Sequence, residues 1–265
     1  ITVMEPKSVI KVAIEFNDDE KIQGAACERL RKILTSIDKD NMTSIDKDNA
    51  KNIISIDGVQ MICNAMKKHR GQSMVISEGC LAMTKFIEYY PDVSSKIADE
   101  GAIDLIIAAI SRWGKLSPKK RISNNKVLER GFEALNQLSN CVGNVRKIIN
   151  SDGMNVVQTA MKNYPDRIEL LTMGCHFLVQ MTHYCMNTSP TLENRVVTAT
   201  EVVPVILKAV LRKKKISIEV KKNLRYYVCA LITNLAVVPA ARKKVNESAL
   251  NAIAVIIKIW NATDD

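Results

Sequence analysis

A helix that is apolar on nearly every side obliges the rest of the chain to cover it, and this sequence contains one at Gly101–Trp113. It closes a module that starts at Ser73. Gly79, Ala82, Met83, Phe86 and Tyr90 carry the spacing of an amphipathic helix over Met74–Tyr90. Pro91 ends that helix, because proline has no amide to donate to it. A short polar helix with Val93 and Ile97 inward follows, and Asp99-Glu100-Gly101 leads into the apolar one. A module of this kind needs copies above and below it.

The copies are present. The small or capping residues Gly58, Gly101, Gly153, Val202 and Ala249 open equivalent apolar helices, at spacings of 43, 52, 49 and 47 residues. An acid precedes the first four, Asp57, Glu100, Asp152 and Glu201, where it complements the helix amides. Four residues on stand Ile62, Leu105, Val157, Ile206 and Ile253; seven on stand Ala65, Ala108, Ala160, Ala209 and Ile256. Ala65-Met66-Lys67 and Ala160-Met161-Lys162 agree further.

The long partner helices repeat as well. Gly79, Gly131 and Gly174 share one phase, with Gln23 and Val228 in the glycine place. The pairs Ala26/Leu30, Ala82/Phe86, Ala134/Leu138, Phe177/Met181 and Leu231/Leu235 follow in register. Glycine inside a helix costs about 1 kcal/mol relative to alanine. Three at one phase imply a neighbouring helix too close for a side chain.

This order resembles the armadillo repeat, with HEAT repeats as near neighbours. Gly131-Phe132-Glu133-Ala134-Leu135-Asn136-Gln137-Leu138-Ser139 and Ala230-Leu231-Ile232-Thr233-Asn234-Leu235-Ala236 carry the resemblance most closely. A period of about 40–47 residues belongs to such solenoids. The resemblance implies an all-α fold, a right-handed α-α superhelix of about five to six repeats forming one domain over 1–265. Its parts are an incomplete repeat at 3–36, repeats at about 53–90, 91–140, 141–185 and 186–237, and a C-terminal partial repeat at 238–262. A hydrophilic insertion at about 35–52 holds an exact heptamer duplication, Thr35–Asn41 and Thr43–Asn49. Its acids do not make a calcium loop, since the fifth and sixth places from Asp46 are Ala50 and Lys51.

Between these elements the residues read as follows. Val3–Phe16 is an apolar helix with Val9, Ile10, Ala13 and Ile14 inward, and Asp18–Leu34 is its partner. Lys115–Lys126 reads as a basic loop before a helix at Lys126–Asn140, Asn187–Glu193 as a loop, Ser217–Ala236 as a long helix, and Leu250–Trp260 as a last apolar helix. Seven cysteines, an odd number, fall mostly at helix-interior phases (Cys27, Cys63, Cys80, Cys175, Cys229), which fits a reducing compartment. No apolar run reaches a membrane span, and the first residues given lack the charged-then-apolar layout expected of a signal peptide.

Catalytic chemistry finds little footing. There are three histidines, His69, His176 and His183. Cys175-His176 and His183-x-Cys185 lack the spacing of a zinc site. No nucleophile triad, glycine-rich phosphate loop or paired carboxylates emerge, so neither an enzyme nor a cofactor is expected.

The long helices of a superhelical stack line a groove. One place before the core leucine lie Arg29, Lys85, Gln137, Gln180 and Asn234, all hydrogen-bond donors. Armadillo proteins similarly carry an Asn ladder here that holds an extended peptide; Asn234 alone matches it literally. On the same face lie Glu78, Arg130, Glu133, His176 and Tyr227. The resemblance implies a non-catalytic scaffold or adaptor that takes a protein segment in this groove; the plain alternative is an ordinary solvated helix face.

Charge offers a second surface. The net charge is +10, and residues 201–265 hold 12 Lys/Arg against 5 Asp/Glu. Arg212, Lys213, Lys214, Lys215, Lys221, Lys222 and Arg225 cluster, with Arg242, Lys243 and Lys244 beyond. Such a cluster suits an acidic protein segment, an anionic phospholipid surface or nucleic acid. Only Tyr226 and Tyr227 stand near it as stacking partners, which disfavours nucleic acid. The repeated Trp-x-x-x-Asn of import adaptors is absent: Trp113 and Trp260 are followed by Ser117 and Asp264. Richness in Ile, Lys and Asn, in a chain made only of such repeats, resembles the apicomplexan armadillo-repeats-only family. That family is held by an acylated N-terminus on the cytosolic face of secretory organelles (rhoptries) and recruits a motor and a cyclase. The resemblance implies a cytoplasmic chain whose anchor would lie before Ile1.

Overall fold

The computed structural model describes residues 6–35, 58–116, 121–188, 192–212 and 216–245. The heptamer duplication beyond Thr35, Lys213–Lys215 and the Leu250–Trp260 helix lie outside the described residues. Among those described, all regular structure is helical.

The helices are α1 (Pro6–Glu15), α2 (Glu20–Thr35), α3 (Gly58–Lys68), α4 (Ser73–Tyr89), α5 (Val93–Asp99), α6 (Ala102–Gly114), α7 (Arg121–Ser139), α8 (Val142–Asn150), α9 (Gly153–Asn163), α10 (Ile168–Thr188), α11 (Glu193–Ala199), a 3₁₀ turn (Thr200–Val202), α12 (Val203–Arg212) and α13 (Ile218–Val237). They form two compact units: Ile1–Trp113 with Lys119–Ser151, and Gly114–Pro118 with Asp152–Asp265.

In the first unit the long helices α2, α4 and α7 pack side by side, with α1, α3 and the short helices against them. In the second unit α13 lies along α10, and α9, α11 and α12 pack on that pair. The core is the repeated register. Ala26, Leu30, Ala82, Phe86, Ala134, Leu138, Phe177, Met181, Leu231 and Leu235 are all buried. So are Val93 and Ile97 of the short α5. Asn144 of α8, 1% exposed, ties the short helices to the long one. It donates to Ser94 Oγ at 2.9 Å, Ser94 O at 3.2 Å and Leu138 O at 3.2 Å.

The three phased glycines are sites of close approach. A Cβ on Gly79 would stand 2.7 Å from Met66 Sδ and 2.8 Å from its Cγ; one on Gly174 would stand 2.5 Å from Met161 Sδ and 2.9 Å from its Cγ. At Gly131 the nearest atom is Ile110 Cγ1, 3.0 Å away. Each glycine receives a fully buried side chain of the opening helix before it. This gives Ala65-Met66-Lys67 and Ala160-Met161-Lys162 their physical meaning: each methionine is the knob for the next long helix.

The close approaches also correct the alignment. Leu105 is only partly buried and Ala108 is exposed, whereas Ile106 and Ala109 are in the core. The second copy therefore opens at Ala102, and Ile110 falls in the place of Met66 and Met161. Gly101, with φ of 83°, supplies the left-handed turn before the helix and so occupies the place of Asp152, with φ of 61°. A left-handed residue favours glycine wherever it stands, so the letter alone misled the alignment.

Other expectations are corrected too. The Asp152 side chain makes no capping bond to its helix. Its carboxylate accepts from Arg195 Nη1 at 2.6 Å and Asn155 Nδ2 at 3.0 Å, because the left-handed backbone turns it away from the first amides. Glu201 lies in the 3₁₀ turn and pairs with Lys162. Helix α7 begins at Arg121, not Lys126, since nothing in 121–125 breaks a helix. Ile14 is 58% exposed rather than inward, and Cys229 is exposed while Cys27, Cys63, Cys80 and Cys175 are buried. Both lie on helix faces that no described element covers.

Gly174→Ala and Gly79→Ala should each lower stability by about 1–2 kcal/mol, since overpacking outweighs the gain in helix propensity. Gly131→Ala, with a looser fit, should be close to neutral. Thermal or urea unfolding of the three variants measures this order.

Candidate functional site

The residues before Gly79 and Gly131 land on the seams between consecutive long helices. Glu78 on α4 lies between Arg31 of α2, whose Nε is 3.4 Å from Oε2, and Arg130 of α7, whose Nη1 is 2.6 Å from Oε1. Arg130 also donates to Ser77 Oγ at 3.3 Å. The three side chains are 13–19% exposed, so the network is partly desolvated and links all three long helices. Two of the proposed groove residues, Glu78 and Arg130, thus pair with each other. Arg31 was missed, because it sits two places beyond Arg29 and outside the register used.

Further along the same two helices, Lys85 Nζ donates to Glu88 Oε2 at 2.6 Å. Glu133 of α7 faces this pair. Burial raises its pKa, the Lys85 ammonium opposes that rise, the Glu88 carboxylate adds to it, and Arg130 opposes it. Gln137, one turn on, accepts from Asn140 Nδ2 at 3.3 Å. Gln137 and Asn140 border an open hollow of about 730 Å³, part of it open solvent, together with Ile87, Glu88, Pro91, Ser94 and Cys141. Lys85, Glu133 and Gln137 are therefore brought together, and Glu88, Asn140 and Cys141 join them. Arg29 of α2 is half-buried.

Cys141 differs from the other thiols. Ser95 Oγ lies 3.6 Å from Sγ. That contact lowers its pKa, desolvation opposes it, and the amides of Asn144 and Gly143 and the Lys147 charge lower it further. Burial pushes Cys27, Cys63 and Cys80 up to about 12.

The second unit carries a different seam. His176 of α10 stacks on Tyr227 of α13, ring centroids 4.5 Å apart and 18° from parallel, and Tyr226 meets Tyr227 edge-on at 5.3 Å. Desolvation lowers the His176 pKa. Asn234, the literal match to the ladder, turns its amide nitrogen into the seam, donating to Val179 O at 3.1 Å and Thr182 Oγ at 3.0 Å. Gln180 is half-buried on α10. Among the described residues no group of three or more His, Cys, Asp or Glu side chains could hold a metal ion.

Of the basic cluster, Lys222, Lys243 and Lys244 are exposed. Arg242 folds back on α13, donating from Nε to Ala236 O at 2.7 Å. Lys221 and Arg225 border a narrow apolar hollow of about 20 Å³ walled by Ile206, Leu207, Val210, Ile216, Leu224 and Val228. Here Val210 and Val228 line the hollow, where three other repeats seat a long knob on a glycine. Of Arg212 only the helical backbone is described, as the last residue of α12.

No protein-family model and no curated protein matches the sequence. Among solved structures, the chain is similar to an engineered protein whose crystal structure comes from the Northeast Structural Genomics Consortium. The TM-score is 0.56 with 14% identity, over 97% of this chain and 98% of that one. At that identity the likeness concerns the fold alone. Among the described residues the chain is all-helical, and no described helix is long and apolar enough to cross a membrane.

Three outcomes follow. Glu78→Ala should destabilise by about 1–3 kcal/mol, since it leaves two guanidinium groups facing each other. Arg130→Ala should cost more than Arg31→Ala, in keeping with the shorter contact. Glu133→Gln should raise the melting temperature at neutral pH. A carboxyl whose folded-state pKa is raised penalises the fold above that pKa, and the penalty lifts as pH falls through it. The gap between variant and wild type should therefore narrow as pH falls from neutral towards the ordinary glutamate value of about 4.3.

Proposed function

We propose that the chain is an armadillo-type repeat scaffold, a right-handed solenoid of about five to six repeats, and that it binds a partner protein without catalysing a reaction. The observation that carries this reading is the convergence of Lys85, Glu88, Glu133 and Gln137 from two consecutive long helices beside the open hollow at Asn140 and Cys141. These groups are partly desolvated and stand on helices held rigidly by the knob contacts. A rigid polar wall with mixed charge and amides suits an extended segment that brings its own backbone and side-chain polar groups. The resemblance to the apicomplexan armadillo-repeats-only family makes an organelle-bound adaptor for motor and signalling proteins the physiological setting of this proposal, with the chain on the cytosolic side.

The basic cluster defines the competing surface. A contact carried by Lys222, Lys243 and Lys244 to an acidic protein, an anionic membrane or nucleic acid would weaken steeply with salt. A contact carried by the wall of α4 and α7 would weaken far less.

Affinity capture with wild type, with Lys85→Glu plus Gln137→Glu, and with Lys222→Glu plus Lys243→Glu separates the two. The proposal expects the first pair to lose the bound protein at physiological salt and the second pair to retain it. Retention by the first pair with loss by the second overturns it.

A further inference from the structure

Helices α1, α2 and α3 pack on one another and leave a hollow of about 220 Å³ between them. It shares no residue with the wall of α4 and α7. Ala13 of α1 and Met61 and Ala65 of α3 line it with buried apolar surface, and the exposed Ile14 stands at its rim. Every residue that lines it is among the described ones.

Gln23 of α2 gives the hollow its chemistry. It lines the hollow and is only 2% exposed. Its amide nitrogen donates to Ala13 O at 2.7 Å and to Phe16 O at 3.0 Å. Two carbonyls on the nitrogen fix which way the amide is turned, so the oxygen is the end left over for the hollow. Among the described residues nothing donates to that oxygen. A buried acceptor without a donor is costly, and a ligand that brings one relieves the cost.

The rim is held by the turn between α1 and α2. Lys68 Nζ donates to Asn17 Oδ1 at 2.6 Å and pairs with Asp18 Oδ1 at 2.6 Å, and His69 Nε2 lies 2.9 Å from Asn17 O. The Lys68 charge is thus matched within the chain, so the hollow does not call for an anion. Asn64, exposed on α3, adds an amide with no bond to a described residue.

We propose that this hollow binds a phenol or indole group, whose O–H or N–H donates to Gln23 Oε1 while the ring lies against Ala13, Met61 and Ala65. Size selects one ring system, since drug-sized ligands fill about 300–1,000 Å³. The Met61 thioether and the Lys68 ammonium at the rim both favour an aromatic ring over an aliphatic group. The Gln23 oxygen selects a ring with a donor over a plain hydrocarbon. The group reaches the hollow either as a free small molecule or as a Tyr or Trp side chain of another protein.

Free p-cresol and indole carry the group alone, and end-capped Gly-Tyr-Gly and Gly-Trp-Gly carry it on a backbone. With the methionine methyls of the full chain isotope-labelled, p-cresol should shift the Met61 signal, which is assigned by its loss in Met61→Leu. The Kd should be about 1 mM or tighter, as suits a ligand of so few atoms. Toluene, the ring without the donor, should bind about tenfold more weakly, which is what one hydrogen bond is worth. A shift with the tripeptides as well assigns the group to a protein side chain, and a shift with p-cresol and indole alone assigns it to a free molecule. Asn64→Trp, at an exposed rim position, should close the hollow and abolish the shift with an unchanged melting temperature. Gln23→Leu should erase the preference for p-cresol over toluene. Because Gln23 also ties α2 to α1, its melting temperature is measured alongside, and Asn64→Trp tests the site without it.

No Met61 shift with any of the four donors up to about 10 mM, beyond which binding is too weak to be specific, overturns the proposal. So does toluene binding as tightly as p-cresol, or p-cresol binding Asn64→Trp as it binds wild type. A shift confined to other methionines overturns it too, since it places the ring elsewhere. None of these outcomes bears on the wall of α4 and α7.

Discussion

A long buried side chain from three of the opening helices rests against a glycine of the long helix that follows, and the packing around them depends on it. Met66 on Gly79, Ile110 on Gly131 and Met161 on Gly174 set how near the two helices come. The glycine gives up about 1 kcal/mol of helix propensity, and the close packing of a fully buried knob offsets it. Where Val228 replaces the glycine and Val210 the knob, an apolar hollow lies between the helices instead.

The same contact positions the polar surface. Glu78 and Arg130 immediately precede their glycines, so the two arrive on adjacent helices at one height and meet at 2.6 Å. Lys85 and Gln137 stand six residues beyond the same glycines, next to Glu88, Glu133 and the hollow. A rigid spacing of partly desolvated charges is the property a recognition surface needs, because the ordering cost is met before the partner arrives. Each unit solves its seam differently. The first uses a guanidinium–carboxylate network, and the second an imidazole stacked on a phenol with an amide turned into the neighbouring helix.

Much of this was legible in the residues alone. The phase of Gly79, Gly131 and Gly174 foretold close approach, and the pairs from Ala26/Leu30 to Leu231/Leu235 foretold the core. The short helix with Val93 and Ile97 inward was equally clear. Such features follow from periodicity, which the chain writes directly into its order of residues. The polar face was legible only as a list of candidates. Whether Asn234 points outward or into the α10 seam depends on the distance to a helix more than 50 residues away in the chain.

The sequence by itself determined the helical class and the phase of Gly79, Gly131 and Gly174, because each helix must hide its own apolar stripe. Tertiary structure alone decided the rest. It moved the second opening helix to Ala102, since Gly101 answers to a backbone turn and not to burial. It turned the Asp152 carboxylate to Arg195 rather than to the helix amides, and it left Ile14 and Cys229 uncovered where local pattern placed them inward. A side chain's exposure is set by what lies across from it, and that neighbour is fixed by the packing of elements far apart in the chain.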